Sequence, residues 1–535
     1  RYYPAYIEEP KQGISNQDFS FYIKTRQVDD YVKLLDKRLS GFNNSTFSGN
    51  LKLAANEMNV NASIPDFTYD GKRFTNLDLV SKGTLDSLNA TISVTDIALS
   101  DSLHIPNTRL ILGAKNDLTH VQLTTSASKT VSEARLNANI KTLSDGVRIH
   151  LFPSSFILND KKWNLEKDGE ITLRKSYIEA KDVRFTQGEQ EIVIDTEPDD
   201  ESNRIDLVAK LRKVNINDFT PLFMNKPRLE GIITGKVKLK DPFGKQIVEY
   251  DAVAEKVRVD NKEIGDVTMK GDVNTSTGQV TVDAGITGDK NKARIKGSLN
   301  YKDTTNNQLD IAFTSERFDI SILDNYMGSI FSEMQGNAIS DLKVRGGNDH
   351  RYITGSVAVE GGSFRVKYTQ CKYKFDNETI IFNPDEIDLG TIQLKDTLNN
   401  SGTASGKIRH NMFDEFGFDN MRFQTSKMLL LNTSKKDNSS FYGKVIGRAT
   451  MTLDGPTNDM RIDIDGEPSR SDSSHVYIPT GSSQETGAID YIVFTQFGSK
   501  MEDEFKGKKE TNFLLNMDIT ANPACKVDVI LDETL

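Results

Sequence analysis

From about residue 48 onward the chain alternates apolar and polar side chains almost without pause, and that alternation excludes most folds. Leu88, Ala90, Ile92 and Val94 point one way while Asn89, Thr91, Ser93 and Thr95 point the other. The same period of two returns at Val267, Met269, Gly271 and Val273, and at Ile353, Gly355, Val357, Val359 and Gly361. Successive side chains of a strand leave on opposite faces, so each run reads as a strand with one apolar and one wet face. Runs of about 6–8 residues end in turns such as Asn274–Gly278 and Asp303–Asn307. These connections are too short for helical crossovers, which predicts antiparallel neighbours. A turn about every 10–14 residues predicts roughly 35–45 strands. A flat open sheet of that size is not expected; twist curls it into a trough, a barrel or a coil.

Three stretches depart from the alternation in the same way. In Phe318–Val344 the residues Ile320, Leu323, Tyr326, Met327, Ile330, Phe331 and Met334 fall at steps of three and four, which predicts an amphipathic helix over 321–334. Ser321 with Asp324 resembles a capping box, Met334-Gln335-Gly336 stops the helix, and a strand around Leu342-Lys343-Val344 follows. In Val214–Leu239 the stripe is Ile216, Phe219, Leu222 and Phe223, with a helix over 217–224 and a stop at Leu229-Glu230-Gly231. In Val28–Leu53 it is Val28, Tyr31, Val32, Leu35 and Leu39, with a helix over 28–40 and a stop at Leu39-Ser40-Gly41. The unequal spacing of the three glycines reads as a recurring unit of variable length, not a fixed-period repeat. These starts divide the chain into 1–47, a segment with a short helix; 48–213, a β unit; 214–317 and 318–467, β units that each begin with a helix; and 468–535. Within the last, 468–511 is rich in Ser, Gly, Thr and then charge, and reads as an irregular excursion.

Chemistry is scarce. A net charge of −10 with 67 scattered basic residues argues against nucleic acid as a partner. Two cysteines, Cys371 and Cys525, exclude a disulfide framework. No apolar run is long enough for a transmembrane helix. The start at Arg1 without a signal peptide reads as a fragment of something larger. None of the six histidines stands within five residues of another His or a Cys, so metal-ligand spacing is missing. Neither a G-x-S-x-G elbow nor a phosphate-binding loop occurs. The expectation is therefore no enzyme, no catalytic residue and no metal. Asp463 and Asp465 read as the wet face of one strand, Gly346-Gly347 and Gly361-Gly362 as turns or bulges, and Trp163 as a strand-edge packing residue.

What remains is the apolar row. In a sandwich it meets a second sheet. In a curled sheet without a partner it lines a groove that is intolerable in water unless something apolar fills it. Acyl chains suit that role, at about 0.8 kcal/mol per buried methylene. The pattern alone leaves a packed sandwich, a β-helix and an open groove standing. The candidate groove-lining residues are Val267, Met269, Val280, Val282, Ala284, Ile286, Ala293, Ile295, Leu299, Val357, Val359, Phe364, Val366, Ala449, Met451 and Leu453.

Three further stretches carry a family resemblance. Phe441-Tyr-Gly-Lys-Val-Ile-Gly-Arg-Ala-Thr-Met-Thr-Leu-Asp-Gly-Pro456, Met460-Arg-Ile-Asp-Ile-Asp-Gly-Glu467 and Ser474-His-Val-Tyr-Ile-Pro479 resemble the C-terminal part of TamB-type translocation and assembly module proteins. Upstream, Trp163–Gly169 and Arg228–Gly235 fit the same family, and the helix before the apolar-x-Gly strand resembles the AsmA-like repeat; the family is similar in build to bridge-like lipid-transfer proteins. The resemblance implies a mostly β fold: a long, curled antiparallel β-sheet (a β-taco, an open β-groove) with a few short amphipathic helices. These would pack against the groove at unit boundaries and narrow it. It implies a periplasmic location in a Gram-negative envelope, with an inner-membrane anchor that this chain lacks. It implies a groove that conducts phospholipids between inner and outer membranes and supports outer-membrane biogenesis. It also implies bound phospholipid in place of any cofactor, and an outer-membrane assembly barrel of the TamA or BamA kind as partner for the C-terminal region, which 468–535 would begin. Two rivals remain: a chaperone or scaffold for outer-membrane protein assembly, and a structural β-solenoid with a dry core.

Overall fold

The structure, a computed structural model, describes residues 2–7, 18–98, 104–126, 131–198, 205–220, 227–305, 307–328, 330–347, 350–411, 414–438, 441–479, 495–496, 499–500 and 512–530. The chain is 73% strand and 4% helix. The described residues hold 37 strands, within the number that the turn spacing predicts. Among the described residues the helical elements named here are α1 (Asp29–Leu35), α2 (Ile216–Phe219) and a 3-10 helix, Ile320–Asn325. Two compact units are formed, Arg1–Glu255 with Lys270–Ser276, and Lys256–Met269 with Thr277–Leu535.

In the first unit Asp18–Lys24 pairs with Thr46–Lys52, which pairs with Glu57–Tyr69. Lys72–Gly83, Ser87–Ala98, His104–Lys115, Leu118–Thr125 and Val131–Leu143 then follow, each antiparallel to the one before. There the sheet forks. Ala138–Leu143 pairs with Gly146–Leu151, while the start of the same strand pairs with Ser154–Leu158.

The second unit repeats the plan. Gln279–Thr287, Lys292–Asn300, Leu309–Arg317, Phe331–Gly346 and Arg351–Val366 are consecutive antiparallel neighbours. Arg351–Val366 then forks to Cys371–Phe375 and Glu378–Asn383, and both meet Glu386–Asp396. Ser401–Asn411, Asp414–Thr433 and Tyr442–Pro456 continue the ladder. Tyr442–Pro456 forks once more, to Asp459–Pro468 and Ser474–Pro479.

Two expectations are corrected at this end. Asn512–Ile519 lies parallel to Asp459–Pro468, and Cys525–Ile530 parallel to Ser474–Pro479. The antiparallel rule rested on short connections, and here more than a dozen residues return the chain in its original direction. The region 468–511 is also not irregular throughout, since Ser474–Pro479 is a ladder strand; 480–494 and 501–511 lie outside the described residues.

The helices are shorter than their stripes. The 3-10 helix stops at Asn325, and by Phe331 the chain has entered a strand opposite Val366. Phe331 and Met334 are therefore strand residues, because a ladder satisfies backbone groups that a marginal short helix cannot hold. Asp319, not Ser321, caps the start: its carboxylate accepts the Ser321 N–H at 2.9 Å. Asp324 turns elsewhere and accepts the Met334 N–H at 2.9 Å. Leu222 and Phe223 of the second stripe lie outside the described residues. All three stop glycines sit at positive φ: +89° at Gly41, +150° at Gly231 and +134° at Gly336. At Gly41 a Cβ would come within 2.6 Å of the Phe67 Cα, so the close strand crossing there needs glycine.

Candidate functional site: the apolar strand face

Strand register turns the sequence rows into a continuous face. In the first unit Ala62, Leu79, Ile92, Leu110, Leu123 and Leu136 stand side by side across six strands. Beside them run Val60, Ser81, Ala90, Leu112, Val121 and Ala138. Cross-strand neighbours share a face. The opposite face carries exposed Asp78, Lys82, Asn89, Arg109 and Gln122. Leu79, Ile92, Leu110, Leu123 and Leu136 are half-buried, and none belongs to the buried clusters of the described residues. In a two-sheet sandwich residues at such central positions would be dry; these are not, and among the described residues the N-terminal segment reaches the face only near the strand ends, where the Tyr3 hydroxyl lies 3.0 Å from Thr119 Oγ1.

In the second unit Val280 lies opposite Leu299, Val282 opposite Gly297, Ala284 opposite Ile295 and Ile286 opposite Ala293. Val267 packs with Ile286 and Ala293, and Met269 lies two residues further along the same strand, half-buried. Val357 and Val359 pair with Ser340 and Ala338. Phe364 and Val366 reach the same neighbourhood although their numbers are even. Gly361, at φ +60°, sits in an irregular stretch of ladder that shifts the parity. Phe375 packs against the buried clusters on both sides of it. Ala449, Met451 and Leu453 lie opposite Thr425, Phe423 and Met421. Of these candidates Ala284, Ile286, Ala293, Val359 and Ala449 are buried; the others are half-buried.

α2 and the 3-10 helix rest on this face at one end of the strands, and what holds them there was not legible as a motif. In the first unit Phe219 of α2 meets Trp163 edge-on, ring centroids 5.5 Å apart, over Leu158, Phe185, Ile192 and Val214. Trp163 is wholly buried, and its strand pairs on both sides. It is the centre of a cluster rather than a strand-edge residue. Asp218, buried on α2, takes the Lys161 ammonium at 2.8 Å. The Asn215 N–H, at the start of α2, donates to Gln190 Oε1 at 2.7 Å.

The second unit reproduces these contacts. Phe318 and Ile322 cover Ile264, Ile286 and Ala293, while Ile320 and Leu323 pack with Ala338 and Val359. Lys262 holds Asp324 at 3.2 Å, and the Asp319 N–H donates to Asn291 Oδ1 at 2.8 Å. The matching residues keep a constant separation of 101: Leu158 and Val259, Lys161 and Lys262, Trp163 and Ile264, Phe185 and Ile286, Gln190 and Asn291, Ile192 and Ala293. Both lysines follow two-residue turns with positive φ at each position, Asn159-Asp160 and Asp260-Asn261. The two copies thus share a 101-residue offset over their strands, while the acids on their helical elements, Asp218 and Asp324, are 106 apart, in keeping with a unit of variable length. The copy at Val28–Leu53 keeps only the amide, Asn43, whose Oδ1 accepts the Val28 N–H at 2.7 Å, and its helix buries no residue. A search for Asx-Asx-Lys turns at equal spacing would have found the offset.

Elsewhere the polar groups pair locally. His104, His150, His350 and His475 each face one aspartate, at 2.8, 3.0, 3.0 and 2.7 Å. Asp463 pairs with Arg461, whose hydrogen bonds hold its carboxyl below the usual range, and Asp465 pairs with Arg448. Among the described residues no group of His, Cys, Asp and Glu is placed to hold a metal, and no helix is long and apolar enough to cross a membrane. Cys371, wholly buried, has its thiol pushed up to about 11 by burial, which leaves it a packing residue.

Residues 390–535 match the family model described as the TamB C-terminal domain. No curated protein and no solved structure matches the chain. The family is a translocation and assembly module of the cell envelope that works with an outer-membrane partner. The match begins within Glu386–Asp396 and takes in every later strand of the ladder, including the fork and the two parallel pairs. On that ground residues 390–535 are similar to a TamB C-terminal domain, which supports a TamB-type protein.

Proposed function

We propose that the apolar strand face is a lipid-conducting surface, on which phospholipid acyl chains lie while headgroups stay at the wet rim. One observation carries this reading: Leu79, Ile92, Leu110, Leu123 and Leu136 form an unbroken aliphatic row that is half-buried and joins no buried cluster of the described residues. Such a row costs free energy in water, and each acyl methylene it shelters returns about 0.8 kcal/mol. The dry β-solenoid has no support in that row. With the TamB match, the reading extends to a periplasmic protein carrying phospholipid between inner and outer membranes. The test is solvent extraction of the purified protein and mass spectrometry of the extract against a control protein from the same cells. Several phospholipids per chain are expected; none above control would overturn the reading.

A role in assembling outer-membrane proteins is favoured by a second observation. Asn512–Ile519 and Cys525–Ile530 each have one described ladder partner, and Leu514, Met517, Ile519, Val527 and Val529 on them are about half exposed. Exposed edge strands with apolar side chains are suited to strand addition by a β-rich partner, such as a barrel of the TamA or BamA kind. Crosslinks from Met517 to such a barrel, lost in Met517→Lys, are the expected result; equal crosslinking by both proteins would exclude this edge.

A further inference from the structure

We propose that α2 and the 3-10 helix are latched floors of the lipid face, which fix how far an acyl chain runs along the strands. This rests on the lipid-conducting reading and adds a depth limit to it. The floor in the second unit stands on one strand end only. Ile286 and Ala293 lie beneath Phe318 and Ile322, whereas Val280, Val282 and Leu299, at the far end of the same two strands, belong to no buried cluster of the described residues. From Ala293 to Leu299 the strand advances roughly 20 Å at about 3.3 Å per residue, so the face has an open end and a closed end.

Three features separate a floor from incidental packing. The first is that the device is built twice, with the 101-residue separation kept by its apolar seat, its lysine and its buried amide. The second is that the latch is polar and specific. Lys161 and Lys262 reach acids on the helical elements, and Gln190 and Asn291, both buried, hold the first backbone N–H of each. The third is a contrast within the chain. α1 follows the same sequence plan but buries no residue, and Leu34 and Leu35 are more than four-fifths exposed. α1 does have an amide bond at its start, from the Val28 N–H to Asn43 Oδ1 at 2.7 Å, so that bond alone does not seat a helix; the apolar seat and the lysine do that. The two floors also differ in material. The first is aromatic, with Phe219 on Trp163, and the second aliphatic, with Ile320, Ile322 and Leu323.

The experiment loads the purified chain from vesicles holding equal amounts of dilauroyl- and distearoyl-phosphatidylcholine, then measures the bound long-to-short ratio by mass spectrometry. Ile320→Ala/Ile322→Ala lowers the floor, and the ratio is expected to rise at least twofold over the parent. Lys262→Met cuts only the latch, keeps the apolar seat and is expected to move the ratio the same way. It decides the matter if the double variant does not fold. Ile339→Ser, at an exposed position, leaves the ratio unchanged. An unchanged ratio in the floor and latch variants, with lipid still bound, overturns the floor and spares the lipid-conducting reading. A parent chain that takes up neither lipid overturns both.

Discussion

The Lys161 ammonium lies 2.8 and 2.9 Å from the two carboxylate oxygens of Asp218, a side chain with no exposure to solvent. Asn159 and Gln190 add weaker hydrogen bonds at 3.4 and 3.3 Å. A carboxylate is kept charged in such a place only by partners of this kind. The equivalent pair, Lys262 and Asp324, is more open, with side chains about a third and a quarter exposed. The two lysines are about equally exposed, so the difference lies in the acids: solvent reaches Asp324 and not Asp218, and screens the second latch more.

That difference sets the cost of breaking each. Lys161→Met leaves the buried Asp218 carboxylate without its cation and is expected to destabilise the fold by about 3 kcal/mol. Asp324→Ala is expected to cost about 1 kcal/mol, plus whatever the lost bond to the Met334 N–H contributes. Trp163 is the sole tryptophan and sits against α2, so its fluorescence during urea unfolding reports the first latch directly. Equal losses for the two variants would mean that burial does not govern these pairs.

His410 supplies a pH dependence. It is buried, and desolvation lowers its pKa below the ordinary imidazole value, with Asp385 opposing the shift. The folded protein thus holds the neutral ring where the unfolded chain already binds a proton. By linkage its contribution is fully present above about pH 6.5 and is lost as pH falls from there toward the lowered folded value. His410→Gln removes this slope. Midpoints of urea unfolding at pH 7.5 and 5.5 are expected to move further apart in the parent than in the variant, and identical shifts would refute the assignment.

Gly362 tests the parity shift beside Gly361. A Cβ at Gly362 runs into the ring of Phe375, the residue that packs against the clusters on both sides. Gly362→Ala is expected to cost about 1–3 kcal/mol, the range for overpacking a filled site. Gly361→Ala meets no atom within 4 Å and strains only its φ of +60°, at about 1 kcal/mol. Thermal unfolding should rank the two in that order.

Alternation made the strands readable because a strand's two faces are written in consecutive residues. Leu88 to Thr95 discloses its pairing face without any knowledge of its neighbours. The helical stripes were less faithful. Ile320 and Leu323 are packed as a helical reading requires, yet Phe331 and Met334, three residues apart, continue the same spacing from inside a strand whose register shifts between Ser332 and Gln335. Long-range pairings left no local trace: Lys161 and Asp218 are 57 residues apart. The parallel pairs at the C-terminal end were missed because loop length predicts direction only for short loops. Which of the sixteen candidate residues would touch lipid depended on where the helical turns came to rest. Val282 and Leu299 read no differently from Ile286 and Ala293 until the floor over the latter pair is seen.

That distinction gives the sharpest test of the lipid face. Val282 lies on the open part, half-buried, opposite Gly297, while Lys296, one residue before Gly297, points to the wet side and is exposed. Val282→Asp puts a carboxylate where acyl chains would lie, and desolvating it costs more than a few sheltered methylenes return. Phospholipid recovered per chain should fall at least fivefold, with an unfolding midpoint close to the parent's because a half-buried carboxylate keeps some water. Lys296→Glu reverses a charge on the other side of the same sheet and should leave loading intact. Ile295→Asp is a weaker probe, since Ile295 packs against the covered cluster and its loss also destabilises the seat. If Val282→Asp and Lys296→Glu load lipid equally, the acyl chains do not run along this row, and the half-buried aliphatic face has some other occupant.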